Sequence, residues 1–334
     1  MRTRSKEKGL TLIELLVVGT IILILAVIAL PLVKPMIDSQ QTRSASQVVS
    51  TYLNRAKNRA RLTGRPCGVR FEVFPGTEEW GGASLVMRQV EVPPVYTGFM
   101  GTETGSVLPT DYVSGLPLRF VCDDPYLQRT LRPGNRVQVG GSGPYYTIKE
   151  VLPGYFTLEE PVTTPTAARA GKFRVQLAPR PTMTPPVALP QGTVVDLKYS
   201  GCGGTWWDFW FDNDPVSPVD NRAHDVTVMF SPSGEISLPA EGNPYPVGPL
   251  FLLIGRWDQI PAVRDSGEEG SWPNWADGRN YWVVVQPQSG LVTTAEVNPV
   301  TLLDGANDVN FSDSSLIGQS REFATQIKRN IGGY

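Results

Sequence analysis

The sequence predicts an α+β protein: a long N-terminal helix, first transmembrane and then amphipathic, packed on an antiparallel β-sheet or sandwich head that carries a small inserted β module. Three observations predict it. The chain opens with an apolar run, Leu10–Val33, that passes into a segment of helical periodicity. Glycine (33) and proline (30) are too frequent among the 334 residues for a mostly helical protein, and they show no collagen period. Short alternating runs separated by Gly-containing turns recur through the remainder. Charged residues are 19% and the formal charge is −2, which argues against a basic nucleic-acid binder and against a disordered acidic chain. One histidine, His224, and three cysteines argue against a His-rich metal site and a dense disulfide framework.

Residues 1–9 hold Arg2, Arg4, Lys6 and Lys8 against the single acid Glu7. The run Leu10–Val33 that follows has Glu14 as its only charge. At about 1.5 Å per residue it is roughly 36 Å long, enough for a hydrocarbon core of about 30 Å, and the basic flank predicts a cytoplasmic N-terminus. A carboxylate in lipid costs roughly 2.5 to 3.5 kcal/mol, so Glu14 needs a neutralising partner. Cleavage after Gly9 would supply one: Leu10 would gain an α-amino group, and one subunit's ammonium could meet another's carboxylate in a helical array.

Pro31 and Pro35 predict a kink or partial melting between Leu30 and Met36. Helix then resumes over 34–63, where Ala45, Val48, Val49, Tyr52, Leu53, Ala56 and Ala60 form an apolar stripe and Gly64 stops it. Arg55, Lys57, Arg59, Arg61 and Arg65 spread around this helix and read as a solvated face. Val69, Phe71 and Val73 alternate against Arg70 and Glu72 as a half-buried strand.

The run Lys8-Gly9-Leu10-Thr11-Leu12-Ile13-Glu14-Leu15-Leu16 resembles the type IV prepilin leader and helix start. That resemblance implies cleavage after Gly9 by a prepilin peptidase, methylation of Leu10, and subunit docking guided by Glu14. It also implies other pilins or pseudopilins, an inner-membrane assembly platform and membrane lipid as partners; the slightly negative charge is the reason that no nucleic acid is expected. The implied location is the bacterial inner membrane, single-pass, with a periplasmic head. Three further stretches, Leu53–Phe74, Asp225–Ser237 and Tyr281–Thr293, resemble the H-type minor pseudopilins of type II secretion, the FimT/GspH family. The expected divisions are a leader at 1–9, a transmembrane helix at 10–33, an amphipathic helix at 34–63, a head from 64–121 and 190–300, an inserted module at 122–180 and a tail at 301–334.

Within the insertion, Arg136–Val139, Tyr145–Val151 and Tyr155–Leu158 read as three strands at hairpin spacing. Pro179–Pro190 reads as a semi-rigid connector and Pro249–Gly255 as a buried strand. Asp212, Asp214 and Asp220, in an aromatic stretch with Trp206, Trp207 and Trp210, are weak calcium candidates that lack the glycine and distal glutamate of an EF-hand loop, and a loop covering the sheet is the preferred reading. No cofactor is expected otherwise. Cys67, Cys122 and Cys202 allow three disulfide pairings in an oxidising compartment. His224 stands without a nucleophile elbow, so no enzyme is expected. The rival functions are a DNA-uptake minor pilin and a signal-anchored surface enzyme.

Overall fold

In the computed structural model the described residues are 12–77, 82–96, 107–109, 119–122, 129–139, 144–159, 173–203, 207–208, 225–237, 248–260, 273–298 and 314–331. Helix α1 runs without interruption over Leu12–Thr63, 52 residues. Of the kink or partial melting expected between Leu30 and Met36, the melting does not occur. Each proline removes a single N–H donor from the ladder, and the flanking turns carry the helix through. Gly64, at φ 64°, ends it in the left-handed conformation that favours glycine.

Among the described residues the head is an 11-stranded antiparallel sheet, in which the short β12 (Trp207–Asp208) pairs with Gly201 and Cys202 off the main path. Its main path, with the edge strand first, is β14 (Ile236–Ser237), β13 (Val226–Phe230), β1 (Cys67–Val73), β2 (Ala83–Glu91), β11 (Thr193–Cys202), β15 (Leu250–Arg256), β16 (Tyr281–Val285) and β17 (Val292–Glu296). The hairpins β13–β14 and β16–β17 turn at Gly234 and Gly290, as their sequence suggests. Strand β15 is buried from Leu250 to Gly255, which is why it reads as an unbroken apolar run. The connector after Pro179 has more structure than its composition implies: β9 (Arg180–Pro181) and β10 (Val187–Ala188) pair with β2 beyond the two residues that β11 covers. Proline is tolerated there because a short edge strand needs few ladder donors.

Helix α1 packs its stripe on one sheet face. Ala45, Val49, Tyr52, Leu53, Ala56 and Ala60 bury against Val69, Phe71, Met87, Leu252 and Val283. The opposite face is covered by a C-terminal helix, α2 (Ser314–Ile331), absent from the sequence-based expectation for the tail. Ile317 and Ala324 of α2 join Phe251, Trp275 and Trp282 in a second core. Arg321 is 1% exposed, donates to the Tyr199 carbonyl at 2.7 Å, and lies 5.7 Å from the Phe251 and Trp282 rings.

The inserted chain forms its own six-stranded sheet, in the order β3 (Val107–Pro109), β4 (Arg119–Cys122), β7 (Tyr155–Leu158), β6 (Tyr145–Leu152), β5 (Arg136–Val139) and β8 (Phe173–Gln176). It has a separate core of Phe120, Leu131, Val137, Tyr146, Ile148, Phe156 and Val175. The sheet starts at Val107, so a boundary at 122 falls at the end of β4. Strands of three and four residues between Gly- and Pro-rich turns are too short to show alternation. Tyr96 and Val175 exchange two backbone hydrogen bonds of 2.9 Å and bring the ends of the insertion together.

Candidate functional site

The N-terminal part of α1 is apolar and uncovered. Leu12, Ile13, Leu15, Leu16, Ile22, Leu23 and Leu25 are all more than half exposed, and Glu14 sits among them, also exposed. Apolar surface of this extent on every side of a helix marks a segment that buries itself elsewhere. Among the described residues no helix is long and apolar enough to cross a membrane; described side chains of the apolar run stop at Val27. Gly9 and Leu10 lie outside the described residues.

Where α1 meets the head, a polar clamp fixes it. Asp38 receives Arg256 at 3.0 Å and has Arg279 at 3.9 Å, with its side chain 16% exposed and that of Arg256 13%. One turn on, the Thr42 hydroxyl donates to the Arg279 carbonyl at 2.6 Å. Arg256 also pairs with Asp258, and Arg279 with Asp277 at 2.6 Å. Burial raises the Asp277 carboxyl, but the hydrogen bonds from Arg279 and Gln259 and the charge of Arg279 outweigh it and hold the group below its ordinary range. Together these contacts tie residues 38–42 to the chain around 256–280, a link no local pattern announces.

Behind the clamp lies a buried amide network. Asn274 donates to Asp196 Oδ2 at 3.0 Å, accepts from the Arg256 amide at 2.8 Å and from Asn280 Nδ2 at 3.0 Å, and Asn280 also donates to Gln259 Oε1 at 3.0 Å. Gly255 makes room: a Cβ there would lie 2.2 Å from Asn274. Asp196 is 1% exposed with Oδ1 unsatisfied. Desolvation therefore pushes its pKa up to about 6, against the hydrogen bond from Asn274.

Farther along α1, Lys57 Nζ donates to the Gly290 carbonyl at 2.9 Å and Arg59 pairs with Glu91 at 2.9 Å. These two cations seat the end of the helix on the head, so the basic cluster is only partly the solvated face the sequence suggested.

Other expected site residues do not converge. Asp212, Asp214, Asp220 and His224 lie outside the described residues, and among the described ones no group of three or more His, Cys, Asp or Glu could hold a metal ion. Cys67 is buried with a free thiol, 3.7 Å from Thr63 Oγ1. It faces Glu91 at one end of β2, whereas Cys202 lies beyond Asp196, which faces Ala83 at the other end. That register, with β2 between them, rules out a Cys67–Cys202 bridge, because bridged Cα atoms must approach within about 7 Å. Cys122 ends β4 in the other sheet.

Residues 4–30 match the family model of the prokaryotic N-terminal methylation motif. Neither a curated protein nor a solved structure matches the chain. The motif supports a type IV pilin-like or pseudopilin chain, processed by prepilin peptidase, anchored in a membrane and assembling with other pilins, and points to a structural subunit rather than an enzyme.

Proposed function

We propose that the chain is a minor pseudopilin or pilin subunit of the H-type, cut after Gly9 and built into a type II secretion or type IV pilus-like filament in the bacterial inner membrane through α1. One observation carries the reading: the methylation motif at 4–30 opens a helix whose first half is apolar and exposed while its second half is sealed into a β head. Processing frees the Leu10 amine, Leu10–Val33 spans the bilayer, and Glu14 accepts the amine of a neighbouring subunit. The pairing neutralises two charges that lipid would otherwise penalise. The pseudopilin reading of the hairpins at Gly234 and Gly290 is supported by their meeting beside α1, where the Ile236 amide donates to the Pro287 carbonyl at 2.9 Å.

Mass spectrometry of membrane-extracted protein tests the first step, and an N-terminus beginning at methylated Leu10 is the expected result; an intact Met1 terminus overturns it. In cross-linked filaments, Glu14→Ala is expected to insert into the membrane normally and to lose incorporation. Wild-type incorporation by that variant would remove the proposed role of Glu14.

A further inference from the structure

The inserted sheet has one face in its core and one outside it. Val137, Tyr146, Ile148 and Val175 point into the core, so the residues alternating with them point the other way. Register orders that outer face into two rows. Gln176, Arg136 and Thr147 stand side by side across β8, β5 and β6, and two residues along Arg174 and Tyr145 flank Gln138, which is buried. Lys149 and Glu150 follow at a bulge in β6, and both are exposed. Arg136, Tyr145, Lys149 and Arg174 are exposed. Among the described residues Arg136, Lys149, Arg174 and Gln176 form no hydrogen bond or ion pair through their side chains. Two arginines that form no ion pair among the described residues, with the Tyr145 phenol on the same face, are not needed to hold the sheet together.

This face runs into a cleft. A cavity of about 210 Å³ lies between module and head, lined on the module side by Arg136 and Gln176 and on the head side by Met229, Glu235, Ile236 and Ser237. Its surface is partly apolar, and its polar groups include a guanidinium, a carboxamide, a hydroxyl and a carboxylate, which between them donate to and accept from hydroxyl groups. We propose that the cleft and the adjoining sheet face bind an acidic polysaccharide, a chain of sugars bearing carboxylates. Arg136 and Arg174 take carboxylates as planar two-toothed donors, Gln176 and Glu235 take ring hydroxyls, Met229 and Ile236 lie beneath the apolar side of one sugar, and Tyr145 lies beneath the next. A nucleic acid strand fits less well. It stacks on successive aromatic rings, of which this face offers one, Tyr145, among the described residues.

The experiment uses the full-length protein in nonionic detergent and labelled oligogalacturonate, with neutral dextran and a single-stranded oligodeoxynucleotide as comparators, read by fluorescence anisotropy. Saturable binding of the oligogalacturonate is expected, weakened on the order of tenfold or more by Arg136→Ala with Arg174→Ala and unchanged by Arg43→Ala, which alters an exposed position beside the clamp on α1. Circular dichroism checks that the sheet persists, and the milder Arg174→Gln, at an exposed position, is expected to weaken binding in the same direction. The proposal is overturned by absent or non-saturable binding, by equal binding of dextran, by tighter binding of the oligodeoxynucleotide, or by wild-type affinity in a folded double variant.

Discussion

Asp196 is a buried carboxyl whose ionisation works against the head. Its pKa is about 6 in the fold against an ordinary 3.8, so below pH 3.8 it is protonated folded or unfolded, and its ionisation costs the native state nothing. As pH rises toward 6 the unfolded chain ionises while the native carboxyl does not, and stability falls by about 3 kcal/mol in total, then levels. Urea titrations should show this loss between pH 4 and 6, and Asp196→Asn should flatten it while raising stability at neutral pH. A variant with the same pH slope as the wild type would place the titration elsewhere. At Asp38 the sign is opposite: Asp38→Asn leaves Arg256 and Arg279 with less compensation and should cost about 1 to 3 kcal/mol, read from the urea midpoint. In the apolar stripe, Leu53→Ala opens a fully buried site and should cost about 2 to 5 kcal/mol.

At the scale of elements, legibility followed range. Strand β1, the two Gly-turn hairpins and the amphipathic half of α1 are visible in sequence because period and turn chemistry are local. Strands β9 and β10 are not, since two-residue pairings owe their existence to an open edge of β2 rather than to their own composition. Helix α2 hides for a different reason. Its buried positions include Ser320 and Arg321, polar residues that a periodicity count assigns to solvent, whereas the Ser320 hydroxyl accepts from the Trp282 indole at 3.0 Å and Arg321 lies against two aromatic rings. The candidate site divides the same way: Gly9, Leu10 and Glu14 form a contiguous motif, while the Asp38 clamp joins residues more than two hundred positions apart. Removing α2 at residue 313 should uncover Trp275 and Trp282, with a red shift in tryptophan emission as the check. Unchanged emission would mean that α2 is not what keeps them dry.

For the whole molecule, the two sheets have separate cores, and the base of the insertion is pinched where Tyr96 pairs backbone to backbone with Val175 of β8. Residues in such a pair stand about 5.5 Å apart, a gap a Gly-Gly link can close. Replacing residues 97–174 by Gly-Gly should therefore leave the head folded, with one cooperative transition in calorimetry; a molten product would show that the head depends on its insertion.

The unbroken run of α1 also has a mechanical consequence. A helix of 52 residues has a length of about 78 Å along its axis, and its polar attachments among the described residues, at Asp38, Thr42, Lys57 and Arg59, are strung along its outer half. Tension applied at the buried end pulls parallel to the rod, so it loads these attachments and the apolar stripe together, in shear, instead of peeling them off one at a time. A filament made from such parts would resist traction far better than sideways bending.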